Sequence, residues 1–190
     1  MTITRFDGDR NFDSPPATDN ARTLPRRLEP QLLYASLKAV HLLSIVIWVG
    51  GMFFVLACLR PAVAAVLDPP GRVTLMHATL RRFFDVVTAA VVVALISGAA
   101  MVVIARSAAV RAGLPFNMPL DWYTMIGLFL VMVAVFAHVR LALFRRLEAA
   151  VVAKAWPAGA AALGAIRWEV TINLVLGVFV VVVMRLGGTA

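Results

Sequence analysis

KAVHLLSIVIWVGGMFF, residues 38–54, is an apolar run long enough to lie inside a bilayer, yet it carries Lys38, His41, Ser44 and Trp48. At helical spacing these four share one face, and Met52 extends it by another turn. Gly50 and Gly51 follow beside them. Ionisable groups are costly in hydrocarbon and normally face a protein interior or a functional site. The stretch therefore predicts a membrane helix with one polar face.

Working outward, the same apolar density recurs in blocks. Of 190 residues, 62% are hydrophobic, against roughly 45–50% in soluble domains. Four blocks, at about 33–58, 84–105, 122–144 and 166–184, each approach the ~20 residues that cross ~30 Å of hydrocarbon as a helix. The expected fold is all-α, an integral membrane four-helix bundle occupying residues 31–190. Residues 1–30 are rich in Asp, Arg, Pro and Asn, and predict a disordered polar tail rather than a signal peptide.

Net charge is +8, but the Lys and Arg residues cluster at span ends and no basic patch interleaved with aromatics occurs. Membrane lipid is the expected partner, and nucleic acid is not. Arg60, Arg72, Arg81, Arg82, Arg145, Arg146, Lys154 and Arg167 flank the first-to-second and third-to-fourth connections. By the positive-inside rule those connections face the cytoplasm and both termini face outward. Cys58 is the only cysteine, which excludes an internal disulfide or a CxxC pair.

Asp68-Pro69-Pro70-Gly71 predicts a turn with a helix from Arg72 onward, and Asp121 is placed to cap the third helix. Residues 145–164 predict a short surface helix before Pro157 and a turn after it. Arg81 and Asp85, four apart, predict an interfacial ion pair. His77 reads as interfacial, and Tyr34, Phe83, Phe84, Trp122, Tyr123 and Trp168 as interfacial aromatics.

Thr124, Gly127, Val131, Ala134 and His138 make a small-residue stripe on the third span, and Glu169, Asn173 and Gly177 one on the fourth. Such stripes let helices approach closely. Depth along straight helices separates His41 from His138 by roughly 12 Å. A first-row metal binds nitrogen at about 2 Å, so two stacked sites or a path between them fit better than one shared ion. Each histidine can alternatively serve only as a hydrogen bond between helices, and Asn173 likewise. Methionines such as Met52 can ligate Cu(I) or merely fill gaps. No P-loop, Rossmann glycine pattern, HExxH or serine-nucleophile motif is present, so enzymatic activity is not indicated.

HLLSIVIWVGGMFF in the first block, LRRFF before the second, Ser97-Gly98 near its end, AHVR in the third and INLVLG in the fourth occur in order. Together they resemble the small four-helix members of the copper-resistance protein D family. The resemblance implies a bacterial inner-membrane protein of copper transport or resistance. It makes His41 the outer and His138 the inner candidate copper ligand, with help from the Met52 thioether and with Trp48 and Asn173 lining the site. A homodimer that completes the ligand set is compatible with so few inward donors. More distantly the chain is similar to HemJ-type protoporphyrinogen oxidases, through His41, His138 and Arg167-Trp168. That similarity implies haem b on the same histidines and, were the chain an enzyme, a membrane oxidoreductase. The lysine expected near the start of the third span is absent, the segment reading Asp121-Trp122-Tyr123-Thr124.

Overall fold

A computed structural model describes residues 28–187, with side chains over residues 31–185. The tail expected over residues 1–30 lies almost wholly outside the described residues. Helix α1 (Leu28–Phe54) passes through one π-helical turn (Val55–Leu59) into α2 (Arg60–Val66). Helix α3 (Pro69–Arg111) forms the second span. The third is α4 (Leu120–His138), a second π-helical turn (Val139–Leu143) and α5 (Phe144–Val152). Helix α6 (Trp156–Gly187) is the fourth. All four rods are long and apolar enough to cross a membrane, and the chain is an all-helical, multi-pass membrane protein.

The rods are longer than the apolar blocks. Forty-three residues in α3 make a rod of about 64 Å, twice the hydrocarbon thickness. The excess collects at the end carrying the two short turns, called here the hairpin end, so the helices continue as a small bundle beyond the bilayer. The opposite, terminal end carries residues 112–119 and the outer ends of α1 and α6. Hydropathy marks only the part of a helix that meets lipid, which is why the apolar blocks stop short of the helix ends.

Helix α3 starts at Pro69, earlier than Arg72. Proline suits the first helical turn because its missing N–H has no partner there, and Asp68 Oδ1 accepts from Gly71 N at 3.1 Å. A Cβ at Gly71 would stand 2.6 Å from that oxygen, so a larger residue there would push the Asp68 carboxylate out of its capping position. Near the hairpin between the third and fourth spans, the turn precedes Pro157 rather than following it, because Pro157 stands in the opening turn of α6. Lys154 takes a positive φ of 51° to close that turn. Asp121 lies in the first turn of α4 without capping it, the N-cap being Pro119. Its charge still suits the helix N-terminus.

Packing follows the polar face of α1. Ser44, Trp48, Met52 and Val55 are buried, while Leu43 and Val46 on the opposite side are 60% and 64% exposed. In α3 the buried seam runs Val73, Met76, Leu80, Phe84, Val87, Val91, Ala94 and Ser97, three or four residues apart. Helix α1 packs chiefly on α3, and α4 on α6, which also touches α1 and α3. Gly177 sits at one close crossing, where a Cβ would lie 2.8 Å from Val49 Cγ2 and 3.1 Å from Met132 Cε.

Several expectations are corrected. Asp85 pairs with Arg140 Nη2 at 2.9 Å rather than with Arg81, since the facing span offers the better-placed guanidinium. Phe84 is core, 1% exposed, edge-on to Phe136 and Phe144. His77 stacks on Phe144 with ring centroids 5.3 Å apart, and its Nε2 is buried without a partner. The small-residue stripe of the third span faces outward: Gly127, Val131, Ala134 and His138 are all exposed. The buried side of that span is instead Met132, Val139 and Leu143.

Candidate functional site

Buried polar side chains among the described residues are Ser44, Ser97 and Asn173, and the histidines sit beside them rather than among them. His41 is half-buried where α1 meets α3. Its Nδ1 lies 2.9 Å from the carbonyl oxygen of Ala94 and 3.2 Å from Ser97 Oγ. A carbonyl only accepts, so Nδ1 carries a proton and donates, which turns Nε2 away from this contact. Ser97 donates to Val93 O at 2.6 Å, which leaves its oxygen available to the imidazole. Gly98 gives the ring room: a Cβ there would stand 3.3 Å from His41 Cε1. Orientation of a histidine by a carbonyl through one nitrogen is the usual way of presenting the other nitrogen to a metal or proton.

His138 ends α4 and occupies the outer edge of the bundle, its side chain 55% exposed. Its Nδ1 is 2.9 Å from Glu169 Oε2 in α6. The carboxylate accepts, so here too Nδ1 is the donor and Nε2 faces away from the partner. Glu169 was legible only as a neighbour of Asn173 one turn away; its pairing across to the third span was not.

Between the histidines lies a buried aromatic and thioether layer. Trp48 is 1% exposed and meets Phe129 and Phe136 edge-on, at 5.9 and 6.1 Å between ring centroids. Met52, 2% exposed, follows one turn below. A cavity of about 10 Å³ is lined by Trp48, Met52, Phe84, Glu169 and Asn173 among others. Asn173 Oδ1 is buried with no hydrogen-bond partner, an arrangement that costs about 1–3 kcal/mol. Met52, Glu169 and Asn173 thus line one small cavity.

The structure does not bring His41 and His138 to one point: each has its own partners on different spans. Among the described residues no three His, Cys, Asp or Glu side chains stand close enough to hold a metal ion. A larger cavity, about 360 Å³, opens at the hairpin end between the first, second and fourth spans. Neither it nor the small one is lined by His41 or His138.

No curated protein and no solved structure gives a significant match to the chain. The family model for copper resistance protein D matches residues 77–186, more than half of the sequence. The match takes in the second, third and fourth spans with His138, Glu169 and Asn173, and begins after the span that carries His41. Four apolar spans and this match together make the chain a multi-pass membrane protein belonging to the copper-resistance protein D family.

Proposed function

We propose that the protein conducts copper through its bundle in a bacterial inner membrane, with the termini on the periplasmic side. The observation that carries this reading is that Asn173, whose Oδ1 is buried without a partner, lines a small cavity together with Met52 and Glu169. His41 is the entry ligand, offering Nε2 while Ala94 and Ser97 hold the ring. Met52, about 16 Å further along α1, supplies a soft thioether suited to Cu(I). Asn173 contributes its free oxygen, and the Glu169 carboxylate balances the cation's charge. His138, oriented by Glu169, is the exit ligand, and Trp48 seals the wall between entry and exit. Donors met singly and in sequence suit an ion in transit, because each step can release it. A resident site with three or more donors would draw on a second copy of the chain, and a homodimer supplies them.

Less supports the haem b reading. A porphyrin needs a cavity beside its histidine, and the two cavities described are lined by neither His41 nor His138.

The test is uptake of Cu(I) into proteoliposomes carrying the full chain. Glu169→Gln is expected to lower the rate about tenfold or more, as loss of an orienting carboxylate typically does. His41→Ala and Met52→Leu lower it comparably, while both variants stay folded. Unchanged uptake in all three sinks the copper path. A Soret band in the purified protein, lost in His41→Ala, would install haem in its place.

A further inference from the structure

Away from the histidines, the cavity of about 360 Å³ at the hairpin end has its own chemistry. Its walls come from Val55, Leu80, Phe83, Val170 and similar apolar side chains. Three residues interrupt them and all three are arginines: Arg60, Arg72 and Arg167. Arg60 and Arg167 are near enough to repel each other. Arg72 spends its Nε–H on the Leu67 carbonyl at 2.6 Å, which leaves its terminal nitrogens without a partner among the described residues. The ion pairs of the described residues lie elsewhere, at His138–Glu169 and Arg140–Asp85.

Like charges gathered around an apolar hollow are unfavourable unless an anion joins them. Guanidinium groups are suited by their planar fork to carboxylates and phosphates, bound in pairs of charge-assisted hydrogen bonds. All three line this one cavity, Arg60 half-buried and Arg72 and Arg167 exposed at its edge. Depth narrows the ligand. Arg60 follows the first apolar block by two residues and Arg167 opens the fourth, so both stand at the level of lipid headgroups. Val55 lies about 7 Å deeper than Arg60 along its helix, and Phe83 about 16 Å beyond Arg72. A charged rim over an apolar floor is the outline of an amphiphile. Ala64, Ala160 and Arg167, all exposed, leave its mouth open to the surroundings.

We propose that this cavity binds an anionic phospholipid. Its phosphate lies between Arg60 and Arg167 with Arg72 at the rim, and the first part of one acyl chain rests on Val55, Phe83 and Val170. The remaining chain stays in the bilayer. The site is independent of the copper path and stands or falls without it.

Native mass spectrometry of the full chain, released from mild detergent with phosphatidylglycerol and phosphatidylcholine of equal chain length, tests the assignment. The wild type is expected to retain phosphatidylglycerol about tenfold or more over phosphatidylcholine, whose trimethylammonium cancels the phosphate's net charge and is repelled by the same three arginines. R60Q/R167Q should abolish that preference, while R106Q at the terminal end keeps it. Ala160→Leu narrows the mouth with all three arginines intact and should weaken retention even if R60Q/R167Q proves unstable. Equal retention of both lipids by the wild type, or an undiminished preference in a folded R60Q/R167Q, overturns the proposal. So does a thermal stabilisation by inorganic phosphate in lipid-free detergent without any phosphatidylglycerol preference, which would make the site one for a soluble anion.

Discussion

Gly177 and Gly50 give opposite answers to the same substitution, and the contrast tests the packing of the whole bundle. A Cβ at Gly177 lies 2.8 Å from Val49 Cγ2 and 3.1 Å from Met132 Cε, whereas at Gly50 nothing stands within 4 Å. Ordinary carbon contacts begin near 3.5 Å, so Gly177→Ala requires Val49 to retreat by about 0.7 Å. The Met132 methyl can swing aside, but Val49 is β-branched on a neighbouring helix and carries its backbone with it. Overpacking of this kind costs about 1–3 kcal/mol. Alanine returns about 1 kcal/mol of helix propensity at either position. The net expectation is a loss of about 1 kcal/mol at Gly177 and a gain of similar size at Gly50. The difference of about 2 kcal/mol corresponds to roughly a thirtyfold change in the folded-to-unfolded ratio. Reversible unfolding of the purified protein in mixed micelles, titrated with SDS and followed by helicity, resolves a gap of that size. If Gly177→Ala proves as stable as Gly50→Ala, the first and fourth spans do not approach as closely as described here, and the geometry around Met52 and Asn173 loses its basis.

Other substitutions test single contacts. Asn173→Leu removes a buried unpaired oxygen at similar volume and should stabilise the fold by about 1 kcal/mol or more, while lowering copper uptake in proteoliposomes. Asp68→Ala takes away the α3 cap and should cost about 1 kcal/mol in the same unfolding titration. Arg140→Gln breaks the pair with Asp85, whose side chain is 60% exposed; the loss should stay below about 1 kcal/mol and shrink as salt rises. Gly98→Ala crowds His41 and should slow Cu(I) uptake several-fold without a matching fall in stability, since the ring rather than the backbone yields.

The spans were legible because lipid solvation demands unbroken apolar runs, and four such runs survive inspection without any structure. The inward face of α1 was legible in its deeper part: Ser44, Trp48 and Met52 are buried as helical spacing predicts, while His41 is half-buried and Lys38 at the outer end is exposed. The third span misled for a physical reason. Its small residues, Gly127 and Ala134, resemble a packing seam, but in a bilayer small apolar side chains are also tolerated against lipid, and the larger Met132 and Val139 fill the interface instead. Partner choice was beyond the sequence. Asp85 had Arg81 four residues away on its own helix and still paired with Arg140, because a facing helix fixes both ends of a contact in space. The arginines of the hairpin-end cavity were visible only as positive charge near span ends; that they line one cavity depends on helices that outrun the membrane.

The two π-helical turns impose a further condition on the chain. Each accommodates one residue beyond an α-helical repeat, and one residue is about 100° of rotation around the helix axis. Residues 55–59 thus act as a phase joint: the face that presents His41 and Met52 to the bundle is set independently of the face that presents Arg60 to the hairpin-end cavity. Deleting a single residue there would restore a regular helix and still break the molecule's internal alignment, turning Arg60 away from Arg167 or His41 away from Ala94. Residues 139–143 couple His138 to Phe144 in the same way. Spacing in these helices is therefore fixed by angle as much as by length, and sequences sharing this architecture must keep or lose the extra residue as a unit with the side chains on either side of it.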